Sequence, residues 1–231
     1  MIISYAHKFI FLKTQKCAGT SVELALSRHC GPDDVITRVA AEDEKLRDGR
    51  GPQNEDIPIC RRVPGWQLKS VLGMRASKAG IRYFNHMGAT AVRRSMDPGL
   101  FDAYRKVTIV RNPWDREVSL YYWTYRDRPQ PPSFDRFVRR WKTAYERKNF
   151  DLYSIDGRVV ADVILRYEHL QDDFTAFLQS LGITHGTELP RAKSKQRKKA
   201  SDGYRTMYSA ELNAIVAKRY AREIEAFSYE F

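Results

Sequence analysis

Residues 8–26 read KFIFLKTQKCAGTSVELAL and contain the clearest secondary-structure signal in the chain. The apolar residues 9–12 are short, aromatic and β-branched, which predicts a buried strand. Residues 13–19 then predict a loop. From Thr20 the apolar spacing predicts a helix, which Thr20 and Glu23 would open as a capping box. The stretch therefore predicts a strand, a loop of small residues and a helix in immediate succession.

A strand, loop and helix in this order can bind an anion. The first backbone N–H groups of a helix lack intrahelical partners, and the helix dipole places partial positive charge beside them. Lys13 and Lys16 lie in the predicted loop, and Thr20 and Ser21 add hydroxyl donors. The alternative is an ordinary strand–helix unit in which the hydroxyls cap the helix and the lysines are solvated. Both interpretations stay open on this stretch alone.

The composition indicates one basic α/β domain. The 231 residues include 40 Lys and Arg against 28 Asp and Glu, which gives a net charge of +12. Such an excess predicts polyanionic partners such as nucleic acid, acidic glycans or a nucleotide cosubstrate. The charge is concentrated in residues 57–96, which contain no acidic residue, and in a basic loop at residues 191–199. The alternative for both runs is a solvated surface.

Neither the cysteines nor the amino terminus predicts export. The cysteines at positions 17, 30 and 60 show no metal-ligand spacing and no even disulfide framework, so we expect reduced thiols. We find no signal peptide and no apolar run long enough to span a membrane. We therefore expect a cytoplasmic protein without a structural metal.

Further strands and helices alternate along the chain. Residues 107–110 predict a second buried strand, and Asn112 with Pro113 predicts the start of a helix directly after it. Residues 159–165 predict a third strand. The helices predicted last span residues 169–181 and 209–227, and residues 31–80 are interpreted as an insertion on the acceptor side. This alternation predicts a P-loop-like three-layer sandwich, a single domain over residues 1–231 with a central parallel sheet flanked by helices.

A second anion site is predicted at the end of the second strand. Ligands of parallel α/β sheets bind at the carboxyl ends of the strands, where both the loop at residues 13–19 and Arg111 belong. Ser119 follows on the next helix, and a guanidinium and a hydroxyl could hold one phosphate together. The alternative is that Arg111 pairs with a nearby carboxylate while Ser119 faces solvent. Two such sites on one edge favour a ligand with phosphates at both ends.

The loop lacks the features of Mg²⁺-dependent phosphoryl transfer. In a Walker A motif Lys follows the last Gly, whereas here Gly19 is followed by Thr20. No acidic residue follows a predicted strand in a position suited to Mg²⁺. A metal-free transfer of an anionic group therefore suits the sequence better than ATP-dependent chemistry.

Two motifs resemble those of the PAPS-dependent sulfotransferases, which use 3′-phosphoadenosine 5′-phosphosulfate. Residues 16–21, KCAGTS, resemble the phosphosulfate loop KTAGTS of that family. Residues 110–121, VRNPWDREVSLY, resemble its 3′-phosphate motif, Arg-x-Pro-x-x-Arg-x-x-Ser-x-Tyr. Residues 85–87 and the carboxyl-terminal residues 204–229 are similar to segments of the carbohydrate O-sulfotransferases, the heparan and chondroitin type, in a compact bacterial form. The resemblance leaves residues 31–80 uncovered.

The resemblance implies transfer of a sulfuryl group from 3′-phosphoadenosine 5′-phosphosulfate to an acceptor hydroxyl, on a glycan or glycolipid. It implies Lys16 and His86 as catalytic residues, Lys16 on the leaving oxygen and His86 as general base. His7 and His169 are the fallback bases. The nucleotide-binding residues that it implies are Lys13, Lys16, Cys17, Ala18, Gly19, Thr20, Ser21, Arg111 and Ser119. The departure from the family motif at Cys17 is small, because the backbone does most of the binding there.

Two other classes of protein remain as alternatives. One is a nucleotide or small-molecule kinase, which would need Mg²⁺ and ATP. The other is a non-catalytic polyanion-binding module, in which the basic runs matter and the loop motif is incidental. The acceptor, the position sulfated and the oligomeric state do not follow from the sequence.

Overall fold

A computed structural model describes residues 1–57, 81–140, 149–190 and 203–231. The strands are β1 (Ile2–Ser4), β2 (Phe9–Leu12), β3 (Val35–Ile36), β4 (Asp56–Ile57), β5 (Ile81–Arg82), β6 (Arg105–Val110), β7 (Ser154–Ile155), β8 (Arg158–Val159) and β9 (Val163–Arg166). The helices are α1 (Gly19–Ser27), α2 (Ala41–Glu44), α3 (Ala89–Ser95), α4 (Pro98–Ala103), α5 (Pro113–Thr124), α6 (Phe134–Arg139), α7 (Asn149–Leu152), α8 (Leu170–Ser180), α9 (Ala210–Arg219) and α10 (Ala221–Phe227). Single 3₁₀ turns occupy Tyr167–His169 and Tyr204–Met207.

The central sheet has five strands in the order β3-β1-β2-β6-β9. The strands β2, β6 and β9 are parallel, with Phe11 opposite Val107 and Val107 opposite Val163. Strand β1 runs antiparallel to both of its neighbours, β2 and β3. The predicted parallel sheet is therefore confirmed for β2, β6 and β9, whereas the antiparallel pairing of β1 with its two neighbours was not predicted. A strand of three residues is too short to give a readable alternation pattern.

Alternate residues of β2 face two different hydrophobic cores. Phe9 and Phe11 point to one face, where they pack with Val22 of α1 and Phe174 of α8. Ile10 and Leu12 point to the opposite face, in the core that α5 and α9 help to build. The side chains of a strand alternate between faces, so a continuously buried strand requires cover on both sides. The predicted three-layer α/β sandwich is confirmed.

The topology brings three loops to one edge of the sheet. Because β2, β6 and β9 run in the same direction, the residues that follow them meet at what we call the carboxyl edge. These residues are the loop after Leu12, Arg111 and the turn that begins at Tyr167. The turn between β1 and β2 and the first residue of β6 lie at the opposite, amino edge.

Several predicted boundaries were wrong. The predicted strand 159–165 is divided between two strands, because Val159 ends β8 and β9 begins only at Val163. Between them the Asp162 carboxylate accepts the Lys106 N–H at 2.8 Å, and the parallel pairing with β6 starts at the next residue. The predicted helix 209–227 is two helices that meet at Tyr220. Within the predicted insertion, β3 joins the central sheet through β1. No helix in the described ranges is long and apolar enough to cross a membrane.

Candidate active site

The loop between β2 and α1 has an uncommon backbone. Lys16 has φ 61° and Ala18 has φ 59°, so two residues with side chains occupy the left-handed region with one residue between them. Each such residue costs roughly 1–2 kcal/mol relative to the right-handed conformation. The concave backbone that alternating conformations produce directs N–H groups inward, as anion-binding nests do. The loop therefore stores strain in the form that suits an anion site.

Two side chains tie this loop to the neighbouring strand. The Thr14 hydroxyl donates to the carbonyl oxygen of Ile109 at 2.6 Å. From the end of β6, Arg111 Nη1 donates to the carbonyl oxygen of Lys16 at 2.8 Å. The two motifs identified in the sequence thus meet in space, because a residue of the second holds the backbone of the first.

Helix α1 begins at Gly19, one residue before the predicted start, with Ala18 as N-cap. Among the described residues no side chain caps this end, so the predicted capping box of Thr20 and Glu23 is wrong. Glu23 is fully buried and points into an ion-pair cluster instead. The uncapped N–H groups of the first turn lie at the amino-terminal end of α1, next to the strained loop. This arrangement favours anion binding.

Lys13 does not lie in a solvated loop. Its side chain is only 2% exposed, and its Nζ lies 2.7 Å from Glu23 Oε2. The other oxygen of Glu23 accepts hydrogen bonds from the α-amino group of Met1 at 2.8 Å and from the Thr37 hydroxyl at 3.1 Å. Burial alone would raise the pKa of Glu23, but the charges of Lys13 and the amino group outweigh it and lower the pKa to about 2. Lys13 is thus paired beneath the loop by a carboxylate.

Gly19 accommodates this buried lysine. A Cβ atom added to Gly19 would lie 2.7 Å from Lys13 Cγ and 3.2 Å from the carbonyl oxygen of Thr14. Besides its predicted place among the nucleotide-binding residues, Gly19 is needed for packing, since the Lys13 side chain passes directly against the Gly19 backbone on its way to Glu23.

Arg111 already has a carboxylate partner. Its Nη2 lies 2.6 Å from Asp115 Oδ2 and its Nε donates to the same oxygen at 2.8 Å. The Tyr167 ring stacks on the guanidinium, 3.8 Å from its central carbon. The pairing with a carboxylate is the one that the sequence analysis set against phosphate binding. Arg111 is nevertheless fixed at the carboxyl edge with its charge beside the loop.

Ser119 and the residue that Lys16 contacts lie on the same face of α5. Ser119 is half-buried and lies one helical turn before Trp123 on the same face. The Lys16 ammonium lies over the Trp123 ring, 5.1 Å from its centre. Within the described part of the chain no hydrogen bond joins Ser119 to Arg111. Ser119 is thus one helical turn from the Trp123 ring that Lys16 covers, and its predicted binding of a phosphate together with Arg111 stays a prediction.

His86 contacts the same loop from the other side. It has a left-handed φ of 60°, and its Nδ1 lies 3.0 Å from the carbonyl oxygen of Lys13. A carbonyl oxygen only accepts, so Nδ1 carries the proton and Nε2 keeps a free lone pair. Burial and the nearby Lys13 charge lower the pKa of His86 to about 4. His86 is therefore neutral at physiological pH, in the form that accepts a proton.

The two fallback histidines differ in position. His7 lies in the turn between β1 and β2, at the amino edge, where its Nε2 contacts the carbonyl oxygen of His29 at 3.1 Å. It therefore lies at the opposite edge of the sheet from the loop. His169 is exposed at the end of the 3₁₀ turn after β9, on the carboxyl edge.

Sequence reasoning missed two polar groups that shape this site. Asn149 hydrogen-bonds the backbone of Gln15 from a position far along the chain. Arg116, the second arginine of the 3′-phosphate motif, is buried and donates to Glu223 Oε2 at 2.8 Å. Only the spacing of Arg116 in the motif could have drawn attention to it, and no local signal marks Asn149. In the described ranges, no three His, Cys, Asp or Glu side chains are grouped as metal ligands.

Comparison with known proteins agrees with this geometry. An uncharacterised protein of Archaeoglobus fulgidus is 33% identical over 102 residues, which cover 42% of this chain and 83% of the archaeal protein. No solved structure matches the chain. Residues 1–230 match the sulfotransferase family. This match extends from the first strand through the loop, Arg111 and the last helix, and the protein therefore belongs to the sulfotransferase family.

Proposed function

We propose that this protein transfers the sulfuryl group of 3′-phosphoadenosine 5′-phosphosulfate to a hydroxyl of a carbohydrate. One observation carries the proposal. The 2.8 Å hydrogen bond from Arg111 to the Lys16 carbonyl oxygen joins a strained, basic loop at a helix start to a second cationic position on the same edge. A nucleotide with anionic groups at both its 5′ and 3′ positions has charges that match two such positions.

The chain offers suitable groups for each end of this cosubstrate. The backbone of residues 16–19 and the hydroxyls of Thr20 and Ser21 would hold the 5′-phosphosulfate, in a loop whose conformation exists before binding. Arg111 and Ser119 would hold the 3′-phosphate. Asp115 offsets part of the Arg111 charge, so binding requires the phosphate to share or displace that carboxylate.

Lys16 and His86 would carry the transfer. The acceptor oxygen forms a bond to sulfur while the bond from sulfur to the 5′-phosphate oxygen breaks. The hydroxyl proton passes to His86 Nε2, and Lys16 stabilises the negative charge on the departing adenosine 3′,5′-bisphosphate. The transferred group has one negative charge fewer than a phosphoryl group, so lysine and backbone donors can neutralise the transition state.

Lys13 takes a different role in this proposal. Its ammonium is paired with Glu23, so it supports the loop from below and holds His86 through its backbone oxygen. Its charge still contributes to the potential of the site, as the lowered pKa of His86 indicates. We therefore assign Lys13 to positioning and Lys16 to direct contact with the cosubstrate.

The acceptor is proposed to be a sugar hydroxyl on a glycan or glycolipid. The support is the resemblance of residues 85–87 and 204–229 to the carbohydrate enzymes and the net charge of +12, which suits an anionic chain. The test is incubation with ³⁴S-labelled cosubstrate and a panel of glycan, peptide and phenol acceptors, followed by mass spectrometry. A labelled sulfate ester on a sugar is expected. A labelled product only on peptide or phenol acceptors would overturn the carbohydrate assignment, and the absence of labelled ester throughout would count against sulfuryl transfer.

A further inference from the structure

Asn149 is the first residue of the short helix α7 and is almost completely buried, at 2% exposure. Its side chain contacts a segment 134 positions away, the backbone of Gln15 in the strained loop. Buried carboxamides are uncommon unless both their donor and their acceptor are satisfied. The partners of Asn149 therefore indicate why a polar residue occupies this position.

The contact is a reciprocal pair of hydrogen bonds. The Gln15 N–H donates to Asn149 Oδ1 at 2.9 Å, and Asn149 Nδ2 donates to the Gln15 carbonyl oxygen at 2.8 Å. A backbone N–H can only donate and a carbonyl can only accept, so the two partners fix the orientation of the amide. Asn149 Nδ2 also lies 3.6 Å from Cys17 Sγ. The carboxamide thus binds both the N–H and the carbonyl of Gln15, as a paired residue on a neighbouring β-strand does.

The paired residue Gln15 directly precedes the part of the loop with the strained backbone. Lys16 and Ala18 have positive φ values, and neither is a glycine. Such conformations persist when the surroundings determine them from several sides. Thr14 is fixed by its bond to Ile109 and the Lys16 carbonyl is held by Arg111. Asn149 fixes both backbone groups of the residue between these two anchors.

Helix α7 also touches the segment that carries His86. A Cβ atom added to Gly88 would lie 3.2 Å from the carbonyl oxygen of Asp151 and 3.5 Å from the Cα of Leu152. One short helix therefore packs against both the loop and the chain next to the candidate base. A displacement of α7 would therefore shift both the loop and the segment that carries His86.

We propose that Asn149 is a positioning residue that holds the loop in its binding conformation before the nucleotide arrives. It acts through Gln15, which keeps Lys16 and Ala18 left-handed and the N–H groups of the loop directed inward. The consequence for nucleotide affinity rests on the proposed function. The consequence for the loop itself does not, and the two are measured separately.

The first measurement follows the Gln15 amide by hydrogen exchange of the whole chain without ligand. In the wild type this amide donates to Asn149, so it is expected to be protected. In Asn149→Ala its exchange should be at least about tenfold faster, since one buried hydrogen bond is lost. Asn54→Ala is the control for loss of a carboxamide far from the loop, because this exposed side chain holds the Pro32 and Asp34 carbonyls at the amino edge. Equal protection of Gln15 in Asn149→Ala and wild type would overturn the proposal.

The second measurement is the affinity for adenosine 3′,5′-bisphosphate in a double-mutant cycle. Asn149→Ala should weaken binding about tenfold or more, whereas Asn54→Ala should not. Ala18→Gly should restore part of the loss, because glycine adopts a positive φ without strain. A merely structural defect would not be rescued at Ala18, so a double variant no better than Asn149→Ala contradicts the proposal.

A third variant tests the proposal if Asn149→Ala fails to fold. Asn149→Asp keeps the side-chain volume and the acceptor for the Gln15 N–H but loses the donor to the Gln15 oxygen. It should keep Gln15 protected and still bind the bisphosphate more weakly, and unchanged affinity would contradict the proposal. If the wild type binds no bisphosphate, the proposed function fails, while the exchange rates still decide whether Asn149 holds the loop.

Discussion

His86 Nδ1 lies 3.0 Å from the backbone carbonyl oxygen of Lys13, whose ammonium lies 2.7 Å from Glu23. One residue thus connects the candidate base to a buried ion pair beneath the loop. The hydrogen bond fixes the tautomer of His86, and the lysine charge helps to keep its ring neutral. The chemistry of the site and the stability of the fold are therefore linked through Lys13.

The first prediction concerns the pH dependence of turnover. A base acts only when unprotonated, and burial with the Lys13 charge lowers the pKa of His86 to about 4. We expect kcat/KM to stay level as the pH falls through 6.5 and to decline only as it approaches 4. His86→Ala should lose about 10²- to 10⁴-fold in kcat and keep its affinity for the bisphosphate. Near-normal turnover of this variant would remove His86 as the base.

The second prediction concerns the buried ion pair. Glu23→Gln leaves the Lys13 ammonium buried without a countercharge, so the free energy of unfolding should fall by about 3–5 kcal/mol. Urea titration measures this value. Glu211→Gln is the matched control, because its partner Arg139 is exposed and its loss should change stability little. A similar small effect for both variants would show that the buried pair does not stabilise the fold.

The same pair predicts how the protein responds to acid. The pKa of Glu23 is lowered to about 2 in the folded chain, below its ordinary value of 4.5. The stabilisation it provides is complete above pH 4.5 and is lost as the pH falls from 4.5 toward 2. The wild type should therefore lose more stability in this window than Glu23→Gln does. Parallel pH profiles of the two proteins would contradict the pKa shift.

The third prediction concerns Gly19. In Gly19→Ala the added methyl would meet Lys13 Cγ at 2.7 Å, and the Glu23 ion pair prevents that side chain from moving aside. We expect a loss of about 1–3 kcal/mol in stability together with weaker bisphosphate binding. Gly51→Ala is the control, since nothing lies within 4 Å of the added atom. If both variants behave alike in thermal melts and titrations, close packing at Gly19 is unimportant.

The fourth prediction concerns the geometry of Arg111. Its guanidinium donates to Asp115 and to the Lys16 carbonyl at once, which an ammonium cannot reproduce. Arg111→Lys should therefore weaken bisphosphate binding about tenfold or more although the charge is kept. Arg105→Lys changes the first residue of the same strand, at the amino edge, and should bind normally. Titration of both variants with the bisphosphate shows whether the lost affinity comes from the missing guanidinium at position 111 or from any Arg-to-Lys change in β6. Equal affinity of Arg111→Lys and the wild type would contradict the prediction.

The sequence predicted those parts of the site that depend on neighbouring residues. Strand β2, the loop and helix α1 follow one another, and the apolar pattern of β2 is unbroken, so their order could be read directly. The position of Arg111 on the same edge followed from the direction of parallel strands. Its pairing with Asp115, four residues later in the chain and within α5, was the alternative that remained open.

The remaining features depend on contacts between distant parts of the chain. Glu23 was assigned to a helix cap because local rules place it there, but the fold buries it against Lys13 and the Met1 amino group. Asn149 carries no local signal at all, since its role exists only once Gln15 is beside it. The basic loop at 191–199 lies outside the described residues, so its predicted role stays a prediction.

Isothermal titration with adenosine 3′,5′-bisphosphate in the presence of EDTA tests the proposed nucleotide site most directly. We expect micromolar binding to the wild type without Mg²⁺, and loss of that binding in Lys16→Ala and in Arg111→Ala. We also expect no comparable affinity for ATP when Mg²⁺ is added, which separates the protein from a kinase. Absence of bisphosphate binding, or binding that survives both substitutions, would overturn the proposed function.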